Sequence, residues 1–311
     1  MPRSAARQNV QINDRDPGSQ LRATYVPDAG MIGVSLRDGD AELLGQRRGL
    51  QAYLELGKTM GIPFLHPWAN RLSGPGYRAA GVGVDLREGS LGLRYDPGGL
   101  PMHGLLAASS EWGVEPPIVP GGDEREELVA SFDFSSPELL ASFPYPHEVE
   151  IAVTLEGRRL QVQTTIIPTS DQAVPLAFGF HPYITLPGVP REQWQVELPA
   201  LEHRPVDVRG IPTGASAPAP AESFTLGERT FDDGYVGVAD GAQFVVSGGG
   251  RRVTVTFDEG YPAAQIFAPA DDPVICFEPM AAPTNALVTG DGLRVAEPGH
   301  PFVATFSITV E

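Results

Sequence analysis

The segment from Val149 to Ile166 limits the fold more than any other part of the chain. Apolar residues alternate at Val149, Ile151, Val153 and Leu155 and, after Glu156-Gly157-Arg158-Arg159, the pattern resumes at Leu160, Val162, Thr164 and Ile166. A period of two on both arms of a Gly-containing turn predicts an antiparallel hairpin with one buried face. A second hairpin is predicted from Phe244-Val245-Val246 through Gly248-Gly249-Gly250 to Val253, Val255 and Phe257, and the chain closes on an alternating strand, Phe302 to Val310. Nearer the start, the extended runs Ala23 to Val26, Met31 to Leu36 and Ala41 to Leu44 are separated by Pro27-Asp28 and Asp38-Gly39. Helix is confined to a turn or two at Leu50 to Leu56 and a short start at Ser136-Pro137, because 36 glycines and 31 prolines leave no room for long helices. Many short strands at close spacing predict an all-β fold, a large antiparallel β-sandwich. Residues 1–20 read as a flexible N-terminal segment and 21–311 as a single domain. Within it, Pro212 to Pro220 is a long loop and not a boundary.

Composition removes several classes of function. A hydrophobic fraction of 41% is too high for a disordered chain. The chain has no apolar run long enough to span a bilayer, and the polar stretch Met1 to Gln20 lacks the apolar core of a secretory signal. One cysteine, Cys276, excludes an internal disulfide and fits a reducing, cytoplasmic setting; it reads as a small buried hydrophobe. A net charge of −17 argues against nucleic acid and membranes as partners and favours a neutral small-molecule substrate. The protein is expected to be a monomer or a homodimer.

Five places put polar groups where a strand pattern breaks at Pro or Gly, and loops at strand ends carry function because the scaffold fixes their base. These are Asn70-Arg71 after Pro67-Trp68, His103-Gly104 after Pro101, His181-Pro182-Tyr183, Phe231-Asp232-Asp233-Gly234-Tyr235, and Glu278-Pro279. Pro279 has no N–H for a neighbouring strand, so Glu278 is expected where the sheet ends, a candidate base with a tunable pKa. Each place also has a structural reading. Arg71 could stack on Trp68, His103 could cap a turn, His181 could be a core histidine, and Asp232-Asp233-Gly234 could be an ordinary turn. His66, His147, His203 and His300 read as structural or solvated. His103, His181 and Glu278 could form a two-histidine, one-carboxylate metal triad, but no HxH or HxxxH pair supports it.

Taken together, the segments GIPFLHPWANRL, LPMHG, FPYPHEVEIAVTLEGRRLQVQTTI, PLAFGFHPYI, FDDGY and FEPMAAPTNAL resemble the aldose 1-epimerase (galactose mutarotase-like) family, in the family's order and over nearly the whole chain. The resemblance implies a β-sandwich of the mutarotase kind with a sugar site on its concave face. Glu278 then corresponds to the general base and His181 to the general acid. Arg71, Asn70 and His103 match residues that hold the sugar, and Asp232, with Asp233 adjacent, matches an aspartate that binds hydroxyls. It implies no cofactor and no metal. One departure is Leu105, where the family often has a second glycine after His-Gly.

The chemistry suits these residue types. Anomer exchange takes a proton from the C1 hydroxyl and gives one to the ring oxygen, and a positioned carboxylate and imidazole contribute ~10²–10⁴-fold each. The histidine is expected to stay protonated through a nearby carboxylate such as Asp232. Trp68, Tyr183 and Tyr235 could cover a pyranose face or belong to the core. The alternatives are a hexose-6-phosphate 1-epimerase, for which Arg78 or Arg204 would supply charge, and a non-catalytic carbohydrate-binding protein of the same fold.

Overall fold

The computed structural model describes residues 7–115 and 127–311. His147–Glu156 and Arg159–Pro168 pair antiparallel in the register Glu156↔Arg159. The two residues left between them, Gly157 and Arg158, both have positive φ (58° and 62°), as a tight turn matched to strand twist requires. Val149, Ile151, Val153, Leu155, Leu160, Val162 and Ile166 are all fully buried, so one face of the hairpin is core, as the alternation predicts.

Two large antiparallel sheets make the sandwich. The first has nine strands in the order Glu222–Thr225, Gln195–Leu198, Ala242–Gly248, Arg251–Glu259, Phe302–Val310, Arg159–Pro168, His147–Glu156, Glu127–Phe134 and Gly113–Val114. The second runs Ala217–Ala219, Leu201–Arg204, Phe231–Val236, Ala263–Ala268, Ile275–Met280, Gly179–Phe180 and Phe64–Leu65, with Tyr183–Ile184 also paired to Ile275–Met280. Inner-face aromatics join the layers: Phe277 lies 5.6 Å from Phe244, and Phe180 4.9 Å from Phe306, between ring centroids. Phe277 is fully buried, and truncating it to Ala would cost about 3–5 kcal/mol. Strand alternation then turns the next residue, Glu278, to the opposite face of the second sheet.

The N-terminal boundary is earlier than Leu21. Val10–Asn13 pairs with Leu21–Val26 in a four-stranded sheet and buries Val10 and Ile12 in the main core, because V-x-I already carries a two-residue apolar period. Met1 to Ala6 lie outside the described residues. Helices form at both expected places, Gly49–Leu56 and Pro137–Leu140, the latter capped by Ser136 Oγ accepting from Leu139 N, and also at Ala286–Thr289, where none is expected from the sequence. Pro212 to Pro220 is not all loop, since Ala217–Ala219 adds an edge strand beside Leu201–Arg204. Among the described residues no helix is long and apolar enough to cross a membrane.

The strand carrying Glu278 does not stop at Pro279; it runs through to Met280. Ala281 N donates to Phe178 O (2.8 Å). Counting along the shared register of Gly179↔Met280 and Tyr183↔Cys276, Phe180:Pro279 and Pro182:Phe277 fall at ladder-bonding positions. Each proline therefore deletes one bond of the ladder without displacing the strand. His181:Glu278 falls between them, at the non-bonded position where facing side chains approach most closely.

Candidate active site

Two cross-strand rows on the outer face of the second sheet form the floor of the site. One runs Asp232, Phe267, Cys276, Tyr183, and the other Arg204, Gly234, Gln265, Glu278. The alternation separates the paired aspartates. Asp232 lies on the Glu278 face and accepts from Gln265 Nε2 (2.8 Å), while Asp233 faces the other way and meets His203 Nε2 (3.0 Å).

His181 stands opposite Glu278, its Nε2 3.1 Å from Glu278 Oε1, with only 7% and 2% of the two side chains exposed. Gly179, two residues before it, sits so close to the next strand that a Cβ there would lie 2.5 Å from Pro279 O. Burial pushes the Glu278 carboxyl well above its usual range, Asp232 adds to the rise, and Arg71 opposes it. Burial pushes the His181 imidazole well below its usual value, helped by His103 and Arg47. The expectation of an imidazolium held by Asp232 is therefore corrected: the carboxylate in contact is Glu278, and desolvation favours the neutral ring.

Two loops cover the pair. Asn70 (φ 54°) and His103 (φ 63°) are both left-handed, and the loops are pinned together by His103 N donating to Asn70 O (2.9 Å) and Leu72 N to Pro101 O (2.9 Å). Gly104 must be glycine, because its Cβ would lie 2.2 Å from His66 O, the carbonyl that also accepts from Leu105 N and Leu106 N. His103 reaches the site edge-on to His181, with ring centroids 5.8 Å apart, and its Nδ1 is buried without a partner. Burial, then Arg71 and Arg94, lower its pKa to about 3, so the ring is neutral. Arg71 does not need Trp68; its Nε donates to Asp96 Oδ2 (2.8 Å) and its Nη1 to Asn70 Oδ1 (3.0 Å).

The structure thus brings together Glu278, His181, His103, Asn70, Arg71 and Asp232. Trp68 and Tyr235 are core residues at 1% and 9% exposure, so neither presents a broad face to a ligand. Leu105 is buried in the main hydrophobic cluster and stands outside the site. Cys276 packs with Tyr183 and Val274 as a buried hydrophobe. Among the described residues no three His, Cys, Asp or Glu side chains group as a metal-ligand set.

Several site residues were missed in the sequence. Phe267, half-buried and 5.7 Å from the His181 ring, is the aromatic beside the pair; its signal was the two-residue period shared with Gln265. Asp96 holds Arg71 while accepting from Gly98 N and Leu100 N, which the turn sequence Asp96-Pro97-Gly98-Gly99 foreshadows. Arg47, Thr59 and Asp272 meet around the Tyr183 hydroxyl from distant segments and carry no local signal.

Comparison with known proteins agrees with this architecture. The family model for aldose 1-epimerase matches residues 26–309. The Slr1438 protein of Synechocystis sp. PCC 6803 superposes with a TM-score of 0.79 at 20% identity, over 99% of this chain and 96% of that one. A galactose mutarotase related enzyme of Lactobacillus acidophilus gives 0.77 at 19%, over 98% and 97%. A galactose mutarotase-like protein of Clostridium acetobutylicum gives 0.80 at 17%, over 94% and 93%. No curated protein sequence matches the chain. With a family model spanning nearly its whole length and this fold beneath it, the chain belongs to the aldose 1-epimerase family.

Proposed function

We propose that the protein interconverts the α and β anomers of a free aldohexose, with Glu278 as general base and His181 as general acid. The observation that carries this reading is the buried 3.1 Å contact between His181 Nε2 and Glu278 Oε1 beneath a polar rim. The pair holds one mobile proton. With sugar bound, the productive form is carboxylate and imidazolium. Glu278 takes the proton of the C1 hydroxyl, C1 becomes a carbonyl as its bond to the ring oxygen breaks, and His181 Nε2 delivers its proton to that oxygen. Rotation about C1–C2 and the reverse moves give the other anomer. After ring opening both groups are neutral, the state that burial of the pair favours, so desolvation supports the opening step.

Arg71 with Asn70, neutral His103 and Asp232 are assigned to the sugar hydroxyls. An uncharged substrate is favoured because each arginine around the floor already has a carboxylate: Arg71 has Asp96, Arg47 has Asp272 (2.8 Å), and Arg204 has Asp291 (3.2 Å). Arg78, the other candidate for a phosphate, is exposed and donates to Gly81 O. The test is polarimetry of freshly dissolved α-D-glucose and α-D-galactose with catalytic amounts of protein. Faster approach to the equilibrium rotation with either sugar is expected; an unchanged rate with both, alongside measurable sugar binding, would leave the non-catalytic binder as the better account.

A further inference from the structure

Glu278 has His181 on one side and Gln265 on the other, each on a neighbouring strand, and Asp232 is on the strand beyond Gln265. If Glu278 takes the proton of the C1 hydroxyl and His181 protonates the ring oxygen, this order fixes how an aldose lies. C1 stands over the pair. Its bond to the ring oxygen points toward His181, so C2 points back toward Gln265 and Asp232. C5, the other carbon on the ring oxygen, then stands on the His181 side. It carries C6 in a hexose and only hydrogen in a pentose. Whatever lies past His181 therefore meets the C5 substituent.

Past His181 lie Tyr183 and the Arg47–Asp272 ion pair. Tyr183 stacks on the imidazole at 4.3 Å and 6°, so its hydroxyl lies over the ring face, outside the plane in which Nε2 bonds. The phenol is a wall, tied down at its oxygen by Thr59 Oγ1 (2.6 Å) and Arg47 Nη1 (3.2 Å). The Arg47 guanidinium lies 5.0 Å from the Tyr183 ring centroid and 5.9 Å from that of Phe267, both in the row that floors the site. From His181 Nε2 to the phenolic oxygen is 3.2 Å, and from there to Nη1 another 3.2 Å. A C6 hydroxyl, three bonds from the ring oxygen, spans that gap. Arg47 Nε donates to Asp272 Oδ2 (2.8 Å), and the two side chains keep 30% and 24% of their surface exposed. Arg47 Nη2 and Asp272 Oδ1 have no partner among the described residues.

We propose that the Arg47–Asp272 pair recognises the C6 hydroxyl, which makes the substrate class an aldohexose in preference to a pentose or a 6-deoxy sugar. The assignment rests on the roles proposed for Glu278 and His181. A hydroxyl has one hydrogen to give and lone pairs to receive. The guanidinium can only donate and the carboxylate can only accept, so side by side they satisfy one hydroxyl in both senses, with charge-assisted bonds. Their charges cancel, which suits a neutral group. A phosphate or carboxylate at C6 would bring a second anion against Asp272.

The experiment measures anomerisation by polarimetry for whichever of D-glucose and D-galactose the protein turns over. Beside it are run the pentose that lacks only C6, D-xylose or L-arabinose respectively, and the matching 6-deoxy hexose. Wild type is expected to favour the hexose over the pentose about ten- to hundredfold in kcat/KM, as for a hydroxyl bonded to charged groups. The 6-deoxy sugar should fall with the pentose, since a methyl group makes neither bond. Arg47→Ala should bring the hexose-to-pentose ratio to within about threefold of unity, because the hexose loses the bonds that the pentose never made. Asp272→Asn, which keeps the shape and removes the charge, should lower the ratio in the same direction, and it decides if Arg47→Ala does not fold. A pair that only held Tyr183 in place would affect all three sugars alike. An unchanged ratio in the variants therefore overturns the proposal, as does a wild type indifferent to C6 or equally active on the 6-deoxy sugar. If such a result comes with an inactive Glu278→Gln, only this assignment fails. Near-wild-type turnover in Glu278→Gln, or a protein that turns over neither hexose, removes it together with the reading of the pair.

Discussion

Acid should loosen this protein through two histidines that take no part in the proposed chemistry. His66 and His147 meet Nε2 to Nε2 at 2.8 Å in the core, and His147 Nδ1 lies 2.6 Å from Tyr145 O. A carbonyl only accepts, so His147 Nδ1 carries hydrogen and its Nε2 is the acceptor. His66 Nε2–H must then be the donor, leaving His66 Nδ1 bare and unpartnered. Phe134 stacks on His147 at 4.7 Å, and Phe64 on His66 at 5.3 Å, so neither ring has room for a charge. Burial lowers His147 to about 4 despite the Tyr145 carbonyl and Asp133, and lowers His66 well below its usual value. Both folded-state values lie beneath the unfolded one, so the unfolded chain binds more protons as pH falls. Stability is therefore complete above about pH 6.5 and is lost below it. For His147 alone the loss at pH 5 is about 2 kcal/mol relative to pH 7.5, and His66 adds to it in the same direction. Urea unfolding followed by tryptophan fluorescence, at both pH values, measures the difference for wild type and for His66→Phe/His147→Phe. Buried carboxylates and the remaining histidines are common to the two proteins and cancel. The double variant should be less stable at pH 7.5, since Tyr145 O loses its donor, but should lose at least about 2 kcal/mol less on acidification. An equal acid-induced loss in both proteins would refute the reasoning.

Three further outcomes follow from the site. Glu278→Gln keeps the shape and removes the base, so kcat should fall about 10²-fold or more while equilibrium dialysis still detects sugar binding. Asp232→Asn should raise KM, whereas Asp233→Asn, on the opposite face, should leave both kinetic constants as they are; steady-state polarimetry separates the two. Arg71→Ala and Asp96→Asn should both weaken sugar binding, Asp96→Asn less, and kcat/KM for a free aldohexose should exceed that for its 6-phosphate at low ionic strength, both read in the same anomerisation assay.

Much of this fold is legible because alternation is a local property. The hairpin around Gly157-Arg158 and the closing strand are written in residues that are neighbours in sequence, and Ser136-Pro137 marks its helix by the same local chemistry. Val10–Asn13 was missed because two apolar residues are a weak signal until Leu21–Val26 is there to pair with them. Pro279 reads as a stop in the sequence because a single sequence does not show which side of a strand has a bond to lose; the answer depends on Phe180, the residue paired with it, nearly a hundred residues upstream. Asp232 and Asp233 could not be told apart for the related reason that a strand's faces are defined by its neighbours. Of the site, the polar groups at strand breaks were readable as candidates. Their convergence rests on register, and Arg47, Thr59 and Asp272 come to Tyr183 through contacts across the fold.

The prolines beside the His181–Glu278 pair also decide where the molecule opens. Two ladder bonds are absent in the middle of a sheet, each worth on the order of 1 kcal/mol had it formed, and both lie at the same seam. Small openings of a folded protein start where backbone bonds are fewest, so amides along Phe180 to Tyr183 should exchange with solvent ahead of those in the uninterrupted hairpin His147–Glu156 and Arg159–Pro168. The residue proposed to accept and release a proton is thus set at a seam where the sheet lacks two backbone bonds, held on its other side by His181 N donating to Pro63 O and Tyr183 N to Gly61 O, while its partner, Glu278, is anchored to Ala263–Ala268.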